Sequence, residues 1–218
     1  MDDSPVKKIG RAYAEALLSG DEVAAEVAIR DALEAKLSSA EIDEQIIAPA
    51  LWLIGELWER QEITVAEEHI ATEISLRVLA LQREAQRLQR ARQDHLVMLA
   101  APTGELHVVA LRMVGNLLRE SGYDVLMLGP DVPAPALAGA ARRHQPDVVC
   151  MSATMPGGSD QVLVAIHEIQ QACPSALYIV GGRGVTSRLH QGAGIAVCER
   201  VSEVVDAIDA LIKRADLN

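Results

Sequence analysis

The first part of the chain carries apolar residues at helical spacing and contains few helix breakers. Between residues 21 and 93 the only glycine or proline residues are Pro49 and Gly55. The spacing predicts four helices, at roughly 5–18, 21–37, 40–60 and 64–92. Thr64 followed by Glu67 is a capping box that marks the start of the last helix. Short breaks between helices of this length are typical of an antiparallel four-helix bundle.

The hydrophobic period changes after residue 93. Short β-type runs are each followed by a helical stretch of about a dozen residues; these runs are LVMLAAP, DVLMLGP, DVVCMSA and ALYIVGG. A weaker run, GIAVCE, precedes a last helix near 201–213. This alternation predicts a doubly wound, flavodoxin-like (Rossmann-like) α/β domain with a parallel five-stranded sheet. The polar stretch REAQRLQRARQD is expected to be an exposed helix end and a linker, which gives domains at 1–93 and 94–218.

Charge and composition narrow the class of protein. The formal net charge is -11, so the chain lacks the excess of basic residues that direct binding to nucleic acid requires. The N-terminus lacks the apolar core of a signal peptide, and no segment approaches the ~20 apolar residues of a membrane span. Cys150, Cys173 and Cys198 stand far apart in apolar runs, so we expect reduced core thiols rather than disulfides or a zinc site. These features predict a cytoplasmic protein.

Polar residues and glycines follow three of the predicted strands. The first strand leads to Glu105-Leu106-His107-Val108, the third to Ser152-Ala153-Thr154, and the fourth to Gly181-Gly182. Between Ala110 and Ser152 lie 41 residues, and between Thr154 and Gly181 lie 26. All of these residues fall at the carboxyl ends of strands, where ligands bind in such sheets. In type and spacing they resemble the D-x-H-x-x-G, S-x-L and G-G signature of the cobalamin-binding fold of methionine synthase and the corrinoid mutases.

This resemblance implies that cobalamin binds with its nucleotide tail detached from cobalt, while His107 supplies the lower axial ligand. Glu105 can accept a hydrogen bond from the other ring nitrogen, which fixes the tautomer. The other residues implied in cobalamin binding are Leu106, Val108, Ser152, Thr154, Gly181 and Gly182. Three positions depart from the signature: Glu105 replaces its Asp, Ala110 its last Gly, and Thr154 its Leu.

The predicted bundle carries a second group of residues. Trp58 ends one helix, and Val65, Glu68 and His69 recur at i, i+3 and i+4 near the start of the next, so they share a face. An indole, a carboxylate and a small apolar wall suit an adenosyl group. The W-x9-E-H pattern resembles cobalamin-dependent photoreceptors of the CarH/LitR type, in which a helical bundle caps the upper face of the corrin. The similarity runs from about residue 5 to residue 213.

Two features depart from those photoreceptors. Their DNA-binding members begin with a winged helix-turn-helix, MerR-like domain, whereas this chain starts directly with the predicted bundle. Some members also carry a histidine after the tryptophan, which becomes a second axial ligand after illumination. Here that position is Glu59, so His69 or water is expected to take the vacated place.

These resemblances imply a light sensor that binds adenosylcobalamin and holds hydroxocobalamin after light. Loss of the upper adenosyl ligand is expected to change domain arrangement, oligomeric state or the binding of a signalling partner. One alternative is a corrinoid methyl-carrier protein of a methyltransferase system. Further alternatives are a photoreceptor that also binds a linear tetrapyrrole (bilin) and a scaffold that no longer binds cobalamin. No catalytic triad, P-loop or paired-carboxylate motif indicates that the chain is itself an enzyme.

Overall fold

The computed structural model of the chain describes residues 4–85, 93–186, 189, 194–215 and 217. The chain divides into two compact units, Met1–Arg87 and Leu88–Asn218. We call them the helical unit and the α/β unit. Most of the polar stretch predicted as a linker, residues 86–92, lies outside the described residues.

The helical unit contains the four predicted helical segments. They are α1 (Pro5–Ser19), α2 (Glu22–Glu34), a third run made of α3 (Ser39–Ile42), a π-helical segment (Asp43–Ile47) and α4 (Ala48–Glu59), and finally α5 (Val65–Ala85). Helix α2 ends before the predicted residue 37. The predicted extension of α5 to residue 92 falls outside the described residues.

The π-helical segment has a cause in the sequence. Pro49 has no N–H and cannot donate to the carbonyl of Gln45, so the regular ladder of hydrogen bonds fails at this point. The helix widens to π geometry just before the proline. The Gln45 carbonyl oxygen faces α1, at 3.6 Å from the position that a Cβ on Gly10 would take. The sequence pattern predicted one regular helix here and did not reveal this change of geometry.

The core of the helical unit is built from aliphatic residues around one buried tyrosine. Its largest fully buried side chains are Tyr13, Leu17, Ile42, Ile46, Ile47, Ile54 and Leu79. The Tyr13 hydroxyl donates to Ser75 Oγ at 3.0 Å, and the Ser75 hydroxyl donates to the Ala71 carbonyl at 2.9 Å. Burial raises the pKa of Tyr13 to about 12, with Ser75 opposing this shift and Asp43 adding to it. The phenol therefore stays protonated and acts as a donor.

Thr64 and Glu67 form the capping box that the sequence predicts. The Thr64 N–H and hydroxyl donate to Glu67 Oε2 at 2.6 and 2.8 Å, and the Glu67 N–H donates to Thr64 Oγ1 at 3.3 Å.

We expect Thr64→Ala to destabilise the helical unit by about 1 kcal/mol, because the start of α5 loses an acceptor for its free N–H groups. Urea unfolding followed by tryptophan fluorescence measures this loss, since both tryptophans lie in this unit. Thr64→Ser keeps the acceptor, and an equal loss in both variants would contradict the prediction.

The α/β unit alternates strands and helices, as predicted. Its strands are β1 (Leu96–Pro102), β2 (Asp124–Val132), β3 (Val148–Ser152), β4 (Leu177–Gly181) and β5 (Ile195–Cys198). Its helices are α6 (Val109–Glu120), α7 (Ala134–His144), α8 (Gly158–Ala172) and α9 (Val204–Ala215). All the strand pairs are parallel, in the order β2-β1-β3-β4-β5, which confirms the flavodoxin-like fold. The strand order reverses at β1 and β3, where ligands bind in folds of this kind.

The interval between β4 and β5 differs from the prediction. A helix is expected after the run ALYIVGG, but residues 182–186 form turns. Gly182 and Gly184 pack closely against the backbone of the loop that follows β3. This packing takes the place of the first turn of the expected helix. Residues 187, 188 and 190–193, which would complete that helix, lie outside the described residues.

Two apolar clusters enclose the sheet. In one, Leu137 of α7 and Val162 of α8 pack on alternate residues of the strands, and in the other Leu118 of α6 and Ile208 of α9 do so. The three cysteines are free and buried, in agreement with the prediction of core thiols. Within the part of the chain that the structure describes, no helix is long and apolar enough to cross a membrane.

Candidate functional site

His107 lies in the loop between β1 and α6, at the carboxyl edge of the sheet. The loop leaves β1 through Gly104, whose φ of 83° favours glycine, and it reaches α6 through the N-cap residue Val108. The His107 side chain is 54% exposed, and Leu106 before it is also exposed. The loop thus presents an imidazole and an apolar side chain at the point where the strand order reverses.

Glu105 is the centre of the hydrogen bonds at this site. Its side chain is only 3% exposed. Glu105 Oε1 accepts the His107 N–H at 2.9 Å and lies 2.6 Å from His107 Nδ1. Glu105 Oε2 accepts the N–H of Thr154 and, at 3.2 Å, the N–H of Met155. One buried carboxylate therefore receives four donors from two different loops.

These contacts determine the charge of Glu105 and the tautomer of His107. Burial by itself raises the pKa of Glu105, but the hydrogen bonds from His107, Thr154 and Met155 outweigh it and lower the pKa to about 2. The carboxylate is ionised at neutral pH and only accepts, so Nδ1 of a neutral His107 ring carries the proton. The ring lone pair is then on Nε2, the nitrogen through which such an imidazole binds a metal.

The backbone around Glu105 is tied to the end of β2. The Asp131 N–H donates to the Glu105 carbonyl at 3.0 Å, and the Gly104 N–H donates to Asp131 Oδ1 at 2.8 Å. Asp131 has a φ of 54°, which is uncommon for a residue with a side chain. Asp131 was not identified from the sequence. Its signal is the pattern Gly-Pro-Asp at residues 129–131, where the β-type run DVLMLGP ends.

Ser152 and Thr154 lie where β3 ends. Ser152 is buried, is the last residue of β3 and pairs with Gly181 of β4. Its hydroxyl has no hydrogen-bond partner among the described residues. A buried polar group without a partner is costly, so this hydroxyl points to a ligand that completes it. Thr154 is half-buried, and its N–H is held by Glu105.

Close backbone packing requires glycine at the end of β4. A Cβ on Gly181 would lie 3.0 Å from the Cys198 carbonyl oxygen, and a Cβ on Gly182 would lie 2.3 Å from that of Ala153. Gly184 makes the same kind of approach, with 2.2 Å between a hypothetical Cβ and the Met155 carbonyl oxygen. Gly182 and Gly184 thus let the loop that follows β3 pack against the segment after β4, and Gly181 lets β4 lie close to β5. Gly181 and Gly182 are among the residues that the resemblance implies in cobalamin binding. Gly184 was not identified from the sequence; its signal is the spacing G-G-x-G.

The residues predicted in the helical unit lie at the ends of α4 and α5. Trp58 is in the last turn of α4, and Val65 is the first residue of α5; their exposed fractions are 47% and 53%. His69 Nδ1 lies 2.5 Å from Glu68 Oε2, and the Thr72 hydroxyl donates to Glu68 Oε1 at 3.0 Å. The helical unit therefore holds a second imidazole in contact with a carboxylate.

The α/β unit has the features of a corrinoid-binding domain: a flavodoxin-like sheet with a carboxylate-supported imidazole where its strand order reverses. Two family models, each described as a B12 binding domain, match the chain. One covers residues 95–210 and the other residues 9–81. The chain belongs to the B12-binding domain family.

Similar proteins include regulators and corrinoid carriers. The HTH-type transcriptional repressor CarH of Myxococcus xanthus is 30% identical over 194 residues, which are 87% of this chain and 62% of that protein. CarA of the same organism is 32% identical over 58% of this chain and 43% of its own length. This chain thus spans less than two thirds of either repressor. Trimethylamine corrinoid protein 2 of Methanosarcina acetivorans is 26% identical over 88% of this chain and 91% of its own length.

The likeness to solved structures extends over nearly the whole chain. The monomethylamine corrinoid protein of Methanosarcina barkeri superposes with a TM-score of 0.79 over 94% of this chain and 99% of that one, at 16% identity. This likeness concerns the fold, and it confirms a helical region followed by a Rossmann-like parallel sheet.

The residues at the sheet edge fit a corrinoid. An imidazole with its lone pair on Nε2 is a suitable ligand for cobalt, and the buried carboxylate on its other nitrogen fixes the ring. The unpartnered Ser152 hydroxyl and the half-buried Thr154 offer polar groups to a nucleotide tail. Leu106 offers exposed apolar surface beside the imidazole.

Proposed function

We propose that this chain is a light sensor that binds adenosylcobalamin and responds to the loss of the adenosyl group. The observation that carries the proposal is the junction of α4 and α5. The exposed indole of Trp58 ends α4, and the exposed Val65 begins α5. The carboxylate of Glu68, three residues after Val65, is in contact with His69 and Thr72. The similarity to CarH along 87% of the chain supports the same function.

Each residue has a distinct role in this proposal. Adenosylcobalamin supplies a cobalt–carbon bond that light can break. His107 would hold the cobalt through Nε2, and Glu105 orients its ring. Trp58 stacks on the adenine and Val65 provides an apolar wall. Glu68 accepts hydrogen bonds from the ribose, because a carboxylate with two donors has further lone pairs.

The position of Trp58 on its helix supports a ligand-binding role. Trp58 lies four residues after the buried Ile54 and eight after the buried Ala50, so it continues the packed face of α4 and is nevertheless 47% exposed. Trp52 lies on the opposite side of the helix, two residues after Ala50, and is 52% exposed. The chain therefore provides a matched pair of exposed tryptophans on one helix.

His69 is proposed as a residue of the helical unit that would hold the cobalt in the form of the cofactor that lacks the adenosyl group. Its ring is 73% exposed, and the contact between Nδ1 and Glu68 directs the proton to Nδ1 and the lone pair to Nε2. The sensor output is proposed to be a changed arrangement of the two units, followed by a change of oligomeric state or of partner binding. A ligand drives such a change only through different affinities for the two states.

Illumination of the loaded protein tests the proposal. The protein is loaded with adenosylcobalamin in the dark without oxygen and is then exposed to green light; we expect its absorption spectrum and its elution volume to change together. Trp58→Ala is expected to weaken binding of adenosylcobalamin more than that of hydroxocobalamin, whereas Trp52→Ala affects neither. A loaded protein whose spectrum and elution are both indifferent to light would refute the light-sensor proposal.

A corrinoid methyl carrier is the second candidate, favoured by the likeness to methylamine corrinoid proteins along nearly their whole length. Such a carrier needs an upper face that is open to partner enzymes, and the adenosyl contacts proposed for Trp58 and Glu68 oppose this. Methylation of the cobalt(I) form by a methyltransferase would favour the carrier.

Binding of a linear tetrapyrrole (bilin) by the same protein stays a prediction. A new visible absorption band after a bilin is added to the dark protein would support it.

A further inference from the structure

We propose that the helical unit binds a small monocarboxylate with a short apolar chain, in a cavity between α2 and α5. The cavity has a volume of about 200 Å³. Its lining residues are Glu26, Ile29, Arg30 and Leu33 from α2, and Val78, Leu81 and Gln82 from α5. None of them is among the residues proposed to contact cobalamin, so this site lies beyond the light-sensor proposal and does not depend on it.

Gln82 is the buried polar residue of this cavity. It is only 4% exposed. Its Nε2 is buried and has no hydrogen-bond partner among the described residues. Burial of a donor without a partner is costly, so this amide points to a ligand that accepts its N–H groups. The last torsion of a glutamine side chain is soft, and a small rotation therefore turns the N–H groups toward an acceptor in the cavity.

The charges around the cavity favour an anion. Arg30 lines the cavity and brings a guanidinium, which only donates. Glu26 also lines it, but Arg77 offsets the negative charge, because Arg77 Nε lies 2.8 Å from Glu26 Oε1 and 3.5 Å from Glu22 Oε2. The ligand therefore meets two groups of donors, the guanidinium of Arg30 and the amide of Gln82. A carboxylate offers both of them acceptor oxygens and supplies the complementary charge.

Four aliphatic side chains form the rest of the lining. Ile29 and Val78 are buried, whereas Leu33 and Leu81 are exposed. Ile29 and Leu33 are four residues apart on α2, and Val78 and Leu81 are three residues apart on α5, so each pair shares one face of its helix. The two leucines mark the side that is open to solvent. An apolar chain that enters between them removes its own surface and theirs from water.

The volume of the cavity limits the size of the ligand. A cavity of about 150 Å³ holds benzene, so the present one has room for roughly eight non-hydrogen atoms. Hexanoate is a carboxylate of this size. A corrin or a linear tetrapyrrole is far larger than this cavity, so the site is separate from that of either chromophore. Its ligand adds contacts between α2 and the helix whose other end carries Glu68 and His69.

Titration of the cobalamin-free chain with hexanoate at neutral pH, followed by proton–nitrogen NMR, tests the proposal. We expect saturable shifts of the Gln82 side-chain N–H signals with a dissociation constant below about 1 mM, which a ligand of this size can reach. Hexanol, which keeps the chain and lacks the charge, is expected to bind at least about tenfold more weakly. Acetate, which keeps the charge and lacks the chain, is expected to bind at least about tenfold more weakly too, because it buries little apolar surface.

Two variants and a matched control assign the donors. Gln82→Leu and Arg30→Gln are each expected to weaken hexanoate binding at least about tenfold, since each removes a donor to the carboxylate. Arg30→Gln is expected to leave hexanol binding unchanged. The control is Arg83→Gln, at an exposed position of α5 that does not line the cavity, and it is expected to bind hexanoate as the parent chain does. Circular dichroism establishes that the variants are folded, and the exposed Arg30 is the position at which substitution disturbs the core least.

Three results would overturn the proposal. The first is a set of Gln82 signals that hexanoate does not shift, and the second is equal binding of hexanoate and hexanol by the parent chain. The third is a shift of the Gln82 signals with protein concentration alone, because a second copy of the chain would then fill the cavity. Since the titration uses neither cobalamin nor light, its failure is distinct from failure of the light-sensor proposal.

Discussion

Replacing His107 with alanine is expected to abolish the spectral change that accompanies binding of hydroxocobalamin and to weaken its binding at least about 100-fold. Loss of a residue that only supports a metal ligand costs roughly 10–100-fold in affinity, and this substitution removes the proposed ligand itself. The imidazole is also preorganised, since Glu105 fixes the proton on Nδ1 and directs the lone pair to Nε2. Titration of the dark protein with hydroxocobalamin, followed by absorption, measures both effects.

The control for this experiment is His144→Ala. His144 is exposed and ends α7, on the side of the sheet where β3 begins, so it lies away from the carboxyl edge. Its removal is expected to leave the titration unchanged. Circular dichroism of both variants establishes that they are folded. A His107→Ala protein that is folded and still gives the spectral change would show that another group holds cobalt.

The fold could be predicted from the sequence because the central strands β1, β3 and β4 are mostly buried. Such strands read as continuous apolar runs, and β1 covers the same residues, Leu96–Pro102, as the run LVMLAAP. The capping box at Thr64 could be predicted because its two partners are three residues apart in the chain. Local chemistry of this kind is visible in a single stretch of sequence.

The parts that the sequence did not reveal depend on contacts between distant segments. Asp131 and Gly184 contact backbone atoms of loops that are remote in the chain. The patterns Gly-Pro-Asp and G-G-x-G mark irregular backbone at these positions, but they do not identify the distant partner. The same applies to the second oxygen of Glu105, whose partners are 49 and 50 residues away. Residues 182–186 are not helical for the same reason, because Gly182 and Gly184 pack against the backbone of the loop after β3.

The candidate site could be predicted from the sequence only in part. His107 and Glu105 are two residues apart, and their predicted contact is present at 2.6 Å. Ser152 was expected to provide a hydroxyl at the sheet edge, and it is buried there without a partner among the described residues. The roles of these residues toward cobalamin stay predictions, as do those of Trp58, Val65, Glu68 and His69.

Gly184→Ala is expected to destabilise the α/β unit by ~3 kcal/mol, at the upper end of what overpacking costs. A Cβ at this position would lie 2.2 Å from the Met155 carbonyl oxygen and 3.0 Å from the carbonyl carbons of Thr154 and Met155. These are backbone atoms, which cannot rotate away as the end of a side chain can. The φ of Gly184 lies outside the left-handed region, so the penalty is steric and does not arise from the backbone conformation. Urea unfolding followed by far-ultraviolet circular dichroism measures the loss.

Gly139→Ala provides the contrast that isolates this steric effect. Gly139 is in the interior of α7, and a Cβ there would meet no heavy atom within 4 Å. Alanine is favoured over glycine in a helix by about 1 kcal/mol, so this variant is expected to be slightly more stable than the parent chain. Because relief of the clash at Gly184 requires the loop with Thr154 and Met155 to move, hydroxocobalamin binding is expected to weaken in Gly184→Ala and to persist in Gly139→Ala. Stability of Gly184→Ala within about 0.5 kcal/mol of the parent chain would mean that this loop is not held against the segment after β4.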